Sequence, residues 1–231
     1  MGKIYTALGL MSGTSMDGVD ASIVKSDGQG QFNNILDEYC EFDEKIQVKL
    51  INLRGNIKHK ENLLDFAEEL KDLERQITIF HSEVVNQILK KYNEKIDLIG
   101  FHGQTILHDP KNKITKQLGD GKLLSQLTRQ LVVYDFRQND LKNGGQGAPL
   151  TPIFHNLLAN IIKKEKNEKI PNILNIGGIS NVTKTTDENN EFENNIIAFD
   201  IGPGNCLIDE WVRRNSTKKF DEGGLIGKSG K

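Results

Sequence analysis

The sequence predicts an α/β protein in which two domains each open with a strand, a glycine-containing turn and a returning strand. Short apolar runs that favour strands alternate with longer segments of helical spacing, which is the pattern of a sheet with parallel members. The strand–turn–strand pattern occurs near the N-terminus and again after residue 170. A charged run at residues 163–169 indicates a solvated linker or helix end. We therefore expect one domain at residues 1–168 and a second at residues 169–231.

The composition argues against several classes of protein. The 231 residues are 36% hydrophobic and 27% charged, which suits a globular protein with a core. The formal net charge of −2 provides no basic field for nucleic acid or for an acidic membrane surface. No apolar run spans a bilayer, and no signal-peptide pattern is present. Two cysteines and five scattered histidines form neither a disulfide framework nor a metal-ligand spacing, so we expect a cytoplasmic protein with no structural metal and no nucleic-acid or membrane partner.

Strand and helix signals alternate through the first domain. Residues 3–10 and 19–25 are apolar or alternating, so they predict a β-hairpin with a donor-rich loop. The helical spacing at residues 62–92 fits either one long helix or two helices that are broken near Thr78. The remaining predicted elements are a strand at 97–101, a helix at 122–130 and a strand at 131–136.

The second domain repeats the opening pattern of the first. Pro149 suits the first turn of a helix that continues through Ile161 and leads into the charged run. The elements predicted after it are a strand at 173–176, a glycine turn, a returning strand at 182–186, a strand at 196–199 and a helix through Trp211.

The first turn, Met11-Ser-Gly-Thr-Ser-Met-Asp-Gly-Val-Asp20, carries groups that suit a phosphate. Gly13 and Gly18 let the backbone approach an anion closely, and the hydroxyls of the loop add donors. Asp17 and Asp20 suit a hydrated Mg²⁺ ion that bridges phosphates. The alternative is a plain hairpin loop, which is the better explanation for one such turn taken alone.

A second glycine turn, at Gly177 and Gly178, strengthens the phosphate hypothesis. Two turns that each open a domain can face each other across a cleft and hold one polyphosphate between them. A P-loop is a different arrangement, and the segment Gly223-Gly-Leu-Ile-Gly-Lys-Ser229 does not form one, because Glu222 stands where the first glycine is required.

Two charged residues at strand ends are candidates for chemistry. Asp200 closes an apolar strand, where α/β enzymes place working groups, and it is able to accept a proton from an attacking nucleophile. The equally weighted alternative is a cap for the next helix. Arg137 suits a bidentate grip on a substrate carboxylate, with an ion pair to Asp135 as its equal alternative.

Six blocks of the sequence resemble, in order, the motifs of the anhydro-N-acetylmuramic acid kinase family of the actin/hsp70/sugar-kinase superfamily. The resemblance covers nearly the whole chain and implies a two-domain, actin-like (ribonuclease H-like) α/β fold. The blocks are Gly9-Leu-Met-Ser-Gly-Thr-Ser-Met-Asp-Gly-Val-Asp20, Phe101-His-Gly-Gln-Thr105, Asp135-Phe-Arg137, Gly144-Gly-Gln-Gly-Ala-Pro-Leu150, Asn175-Ile-Gly-Gly-Ile-Ser-Asn181 and Asp200-Ile-Gly-Pro-Gly-Asn205.

The resemblance implies a reaction and roles for residues. The family uses ATP and Mg²⁺ to open the 1,6-anhydro ring of anhydro-N-acetylmuramic acid with water and to phosphorylate O6, a step of murein recycling. By motif, the base is Asp200, and Gln104, Arg137 and Asn175 are lesser contacts to substrate or nucleotide. The ATP contacts fall on Gly13, Thr14, Ser15, Met16, Asp17, Gly18, Val19 and Asp20, together with Gly177 and Gly178.

One departure from the family concerns length. Family members continue well past the position of Lys231, so we expect the second domain to be incomplete here. An inactive chain that retains a sugar-binding or partner-binding lobe is therefore the alternative hypothesis. A different small-molecule kinase of the superfamily is a weaker one, because the block at residues 144–150 is specific to this family. The sequence leaves open whether the protein forms a homodimer.

Overall fold

The computed structural model describes residues 2–167, 169–186 and 196–230, and its contacts separate two units, Met1–Ala148 and Pro149–Lys231. The expected boundary between residues 168 and 169 lies further along the chain, and residue 168 is outside the described residues. The units divide earlier because the helix at Pro152–Lys166 binds a strand that follows it, with His155 Nδ1 and Thr183 Oγ1 2.7 Å apart. The domain limits 1–168 and 169–231 stay a prediction.

A mixed sheet organises the first unit. Its spatial order is β3-β2-β1-β4, and both β5 and β6 pair with β4. β2 is antiparallel to both of its neighbours, β1 and β3. β4 is parallel to β1 and to β6, and β5 is antiparallel to β4. This arrangement confirms the α/β class and agrees with the actin-like kinase fold. The strands are β1 Tyr5–Ser12, β2 Gly18–Ser26, β3 Phe32–Glu41, β4 Leu98–Asp109, β5 Ile114–Leu118 and β6 Val132–Tyr134.

Five α-helices and a short 3-10 helix at Pro110–Asn112 complete the described part of the first unit. Of the two alternatives for residues 62–92, the break near Thr78 is wrong: α3 is continuous through Thr78, and the chain breaks at Phe66 instead. The Thr78 hydroxyl donates to the Glu74 carbonyl at 2.7 Å and accepts from the Asp120 amide at 3.0 Å, so it is satisfied inside the helix. The helices are α1 Glu44–Asn56, α2 Asn62–Asp65, α3 Ala67–Tyr92, α4 Gly121–Thr128 and α5 Phe136–Lys142.

The core of the first unit lies on one face of the sheet. Along β1, Leu8 and Leu10 are buried while Gly9 and Met11 are exposed, which is the alternation of a strand with one packed face. The buried strand residues join apolar side chains of α1 and α3 in one cluster. Ser12 continues the buried row, so its hydroxyl points into the core at the place where the first turn begins.

The second unit contains a three-stranded antiparallel sheet in the order β7-β8-β9. Its first helix begins at Pro152 rather than Pro149, because Pro152 takes the early helical position where a missing amide costs nothing. The elements are α6 Pro152–Lys166, β7 Ile173–Ile176, β8 Ile179–Lys184, β9 Ile197–Pro203, α7 Cys206–Asn215, a 3-10 helix at Glu222–Gly224 and α8 Leu225–Ser229. None of the helices in the described ranges is long and apolar enough to cross a membrane.

Candidate functional site

The turn between β1 and β2 exposes its backbone at Thr14 and Ser15. Met16 adopts a positive φ of 59° and buries its side chain to 2% exposure, so it anchors the turn in the core. The Met16 amide donates to the Gly13 carbonyl at 3.3 Å and closes the turn. Thr14 and Ser15 lie on the surface, and their amides donate to no group among the described residues. The turn therefore offers two free backbone donors to solvent.

Two side chains from elsewhere in the first unit donate hydrogen bonds to backbone carbonyls of this turn. Gln104 Nε2, at the end of the β1–β4 pairing, donates to the Gly13 carbonyl at 2.9 Å. Arg54 Nη1, on α1, donates to the Thr14 carbonyl at 2.7 Å. Gln104 is fully buried, whereas the sequence analysis assigned it a contact with substrate or nucleotide; that contact stays a prediction.

A buried histidine supports the first residue of the turn. His81 Nδ1 lies 2.7 Å from the Ile77 carbonyl, which only accepts, so Nδ1 carries the proton. Its Nε2 atom then accepts from the Ser12 hydroxyl at 3.2 Å. The pKa of His81 is lowered to about 4, mainly by burial; the bond to the Ile77 carbonyl opposes this shift and nearby His102 adds to it. The ring is therefore neutral at pH 7 and works as a structural acceptor.

We expect acid to destabilise the protein through His81. The unfolded chain binds a proton near pH 6.5 and the folded chain only near pH 4, so stability falls as the pH drops between these values. Between pH 7 and pH 5 this loss amounts to about 2 kcal/mol. Urea unfolding of the wild type and of His81→Gln measures it. The glutamine variant should lose about 2 kcal/mol less than the wild type over the same interval, and equal pH slopes would contradict the assignment.

Acidic groups surround the other side of the turn. The Ser15 hydroxyl donates to Asp17 Oδ1 at 2.6 Å. Burial, and then the charge of Asp17, raise the pKa of Asp20. Burial and the charges of Asp17, Glu41 and Asp20 raise the pKa of Tyr39 to about 12. Negative charge is therefore concentrated on this side of the turn.

The donor set fits Mg²⁺ that is held together with a phosphate. The described residues contain no group of three or more His, Cys, Asp or Glu side chains placed to hold a metal ion. Mg²⁺ in nucleotide sites usually takes one or two carboxylates and completes its shell with phosphate oxygens and water. Asp17 and Asp20 are carboxylates of this kind, and the amides of Thr14 and Ser15 are donors of the kind that bind phosphate. Binding of Mg²⁺ and nucleotide by these residues stays a prediction.

Arg137 is held within the first unit by neutral acceptors. Its Nε atom donates to His102 Nε2 at 2.9 Å and its Nη1 atom donates to the Gly147 carbonyl at 2.7 Å. The Gly147 amide in turn donates to Asp140 Oδ2 at 2.7 Å. The structure shows no ion pair to Asp135 among the described residues, so that alternative is wrong. Burial lowers the pKa of His102, as does the charge of Arg137. A substrate contact by Arg137 stays a prediction.

The two glycine motifs of the second unit pack against each other. The Gly177 carbonyl accepts from the Asn205 amide at 2.8 Å, and the Gly178 carbonyl accepts from the Gly204 amide at 2.9 Å. A Cβ atom at Gly204 would overlap the Gly177 carbonyl, so only glycine permits this approach. The turn predicted at Gly177 and Gly178 is thus tied to the start of α7. Its contact with a nucleotide stays a prediction.

Asp200 lies within β9 rather than at the end of the strand, which corrects the sequence-based expectation, and it forms one end of a polar row across the sheet. It is exposed on β9 opposite Asn181 of β8, which in turn pairs with Asn175 of β7. The N-cap of α7 is Asn205, so the hypothesis that Asp200 caps this helix is wrong. The strand pairing places Asp200 and Asn175 in one row, on either side of Asn181, although they belong to separate motifs of the sequence. The cleft expected between the two glycine turns stays a prediction.

Three supporting residues were missed by the sequence analysis: Arg54, His81 and Tyr39. None of them belongs to a local motif, and the first two lie on helices whose pattern shows only which face is apolar. Tyr39 belongs to an alternating strand, and its distance from the turn along the chain conceals its closeness in space.

Comparison with known proteins gives one consistent result. The family model for anhydro-N-acetylmuramic acid kinase matches residues 5–231. A protein of that name from Pelagibacter ubique is 53% identical over the whole of this chain, which covers 60% of the relative. Proteins of the same name from Rhizobium etli and Agrobacterium fabrum are 38% and 40% identical, again over the whole chain and 61% of each relative. The chain thus spans about 60% of the length of these relatives.

Proposed function

Because the chain belongs to the anhydro-N-acetylmuramic acid kinase family, we propose that the protein transfers a phosphoryl group from ATP to anhydro-N-acetylmuramic acid. The observation that supports this most directly is the β1–β2 turn. Its two free amides and two neighbouring carboxylates match what a magnesium–nucleotide complex requires. Since ATP is the donor, we also propose that the protein works in the cytoplasm.

The turn binds and orients the phosphates. The amides of Thr14 and Ser15 donate to phosphate oxygens, and Gly13 leaves room for close approach. Asp17 and Asp20 would hold Mg²⁺, which would neutralise charge on the phosphates. Gly177 and Gly178, which the family motif assigns to the nucleotide, are proposed as further backbone contacts to ATP.

Asp200 acts as the general base. The 1,6-anhydro sugar has no free 6-hydroxyl, so water must add to the anomeric carbon as the bond from that carbon to O6 breaks. Asp200 takes the proton of the water, and O6 forms a bond to the γ-phosphorus as ADP leaves. Asn175 and Arg137 contribute polar contacts to the sugar. The product is N-acetylmuramic acid 6-phosphate, as required for murein recycling.

The release of ADP from a panel of sugars tests this function. The protein, expressed from its own gene, is incubated with ATP and Mg²⁺ plus anhydro-N-acetylmuramic acid, open-ring N-acetylmuramic acid or no sugar. We expect release above the no-sugar level with the anhydro sugar alone. Release with the open-ring sugar alone would indicate an ordinary hydroxyl kinase. No release of ADP with any sugar would favour the alternative of an inactive chain that binds a sugar or a partner. The first property to measure would then be whether the chain associates as a homodimer.

The substitution Gly13→Ala should weaken nucleotide binding without unfolding the protein. A Cβ atom at Gly13 would meet only the Ser15 hydroxyl, at 3.6 Å, so the fold has room for it. The methyl group would instead occupy the space through which a phosphate approaches. We expect the KM for ATP to rise about tenfold, equivalent to about 1.4 kcal/mol, with an unchanged melting temperature. An unchanged KM for ATP would show that the phosphate lies elsewhere, and Gly30→Ala, in an open loop, is the matched control.

A further inference from the structure

Two side chains remote from the turn in sequence bind consecutive carbonyls of the turn. Gln104 donates to the Gly13 carbonyl across 91 positions of sequence, and Arg54 donates to the Thr14 carbonyl across 40. Both donors therefore act on the backbone of the residues that the proposed function assigns to phosphate binding. Neither residue has to touch the nucleotide in order to affect how the nucleotide is bound.

The geometry of the peptide bond determines the effect. In a planar trans peptide, the carbonyl of one residue and the N–H of the next point in opposite directions. The bond from Gln104 to the Gly13 carbonyl therefore directs the Thr14 N–H away from Gln104. In the same way, the bond from Arg54 to the Thr14 carbonyl directs the Ser15 N–H away from Arg54. These are the two amides without a partner among the described residues.

The orientation of the Gln104 amide follows from its contacts. With the amide reversed, its oxygen would face the Gly13 carbonyl oxygen, and two acceptors would meet. The observed orientation leaves Gln104 Oε1 buried and without a partner among the described residues. Buried unpaired acceptors are rare in proteins because they are unfavourable. The bond to Gly13 is thus kept although it leaves the other end of the same side chain unsatisfied.

We propose that Gln104 and Arg54 are positioning residues that aim the Thr14 and Ser15 amides at the phosphates of ATP. The proposal rests on the proposed function of the turn. It assigns Gln104 an indirect role through Gly13 in addition to the direct contact expected from its motif. It gives Arg54, which belongs to no motif, a role in nucleotide binding.

Nuclear magnetic resonance titration tests the positioning role without requiring turnover. The ¹⁵N-labelled protein is titrated with inorganic triphosphate and Mg²⁺, and the amide shifts of Thr14 and Ser15 report binding. In Arg54→Met and Gln104→Met, these two shifts should already differ in the free protein, and the dissociation constant should rise about tenfold. Arg75→Met removes an exposed arginine of α3 that makes no hydrogen bond or ion pair to the turn among the described residues, and this variant should bind as the wild type does.

The KM values separate positioning from a general loss of structure. Both variants should raise the KM for ATP more than the KM for the sugar. Because Arg54 is exposed, the melting temperature of Arg54→Met should equal that of the wild type. If Gln104→Met does not fold, Arg54→Met alone decides the matter. Wild-type affinity for triphosphate in Arg54→Met overturns the proposal.

The proposed function can fail separately from this inference. If the wild type binds triphosphate at Thr14 and Ser15 but releases no ADP with the sugar panel, the kinase assignment fails and the positioning role stands. If the wild type shows no shift at these amides, both fail.

Discussion

Replacing Asp200 by asparagine is expected to lower kcat for formation of the sugar phosphate about a thousandfold, with the affinity for ATP unchanged. Asparagine has nearly the same shape as aspartate but cannot take a proton from water, so it removes the proposed base and little else. Asp200 is exposed on β9 and faces Asn181, so the change introduces no buried defect. A coupled ADP assay measures kcat, and calorimetry with a non-hydrolysable ATP analogue measures the affinity.

A neighbouring carboxylate provides the control for Asp200. Asp209 lies in the first turn of α7 in the same unit, and Asp209→Asn should leave kcat within about twofold. Turnover of Asp200→Asn at the wild-type rate would remove Asp200 from the role of base. A loss of ATP affinity equal to the loss of kcat would place Asp200 in nucleotide binding instead.

Replacing Gly18 by alanine is expected to destabilise the first unit by about 3 kcal/mol. A Cβ atom at Gly18 would overlap the Cys40 carbonyl and come within 2.8 Å of the Tyr39 ring and hydroxyl. The carbonyl belongs to the backbone of β3, which pairs with β2 at this point, so relief requires the strands to separate. Overpacking against backbone is therefore costly, unlike contact with a flexible side chain.

Urea unfolding of three variants tests the expected destabilisation of Gly18→Ala. Gly18→Ala should lower the midpoint strongly, whereas Gly30→Ala, where a Cβ atom would meet nothing within 4 Å, should change it little. Gly13→Ala should also stay close to the wild type. Stability of Gly18→Ala equal to that of Gly30→Ala would contradict the packing of Tyr39 over the turn.

Local signals predicted the elements that carry the site. The glycine turns, the strand pairs around them and the existence of the strand that carries Asp200 depend on alternation and turn residues, which act over a few positions. The predicted end of that strand at Asp200 is wrong, because β9 continues to Pro203. The alternative of a break near Thr78 is wrong: α3 is continuous there, and the Thr78 hydroxyl accepts from the amide of Asp120, 42 positions away. That contact has no local signal.

The supporting contacts of the turn were not predictable in the same way. Arg54, Gln104 and His81 reach the turn across 40 to 91 positions, and their roles depend on how α1, α3 and β4 pack around it. A single sequence shows which face of a helix is apolar but not which backbone carbonyl a side chain at its edge will reach. The motif predicted Gln104 as a site residue, but its hydrogen bond to the Gly13 carbonyl is visible only in the structure.

The mass of the product tests the central claim most directly. The protein, expressed from its own gene, is incubated with ATP, Mg²⁺ and anhydro-N-acetylmuramic acid. The mass of the sugar product is then measured by mass spectrometry. We expect a product with the mass of the substrate plus one water and one phosphoryl group, because opening of the ring and phosphorylation of O6 occur together. A product that has gained a phosphoryl group without water, or no phosphorylated sugar at all, would contradict it.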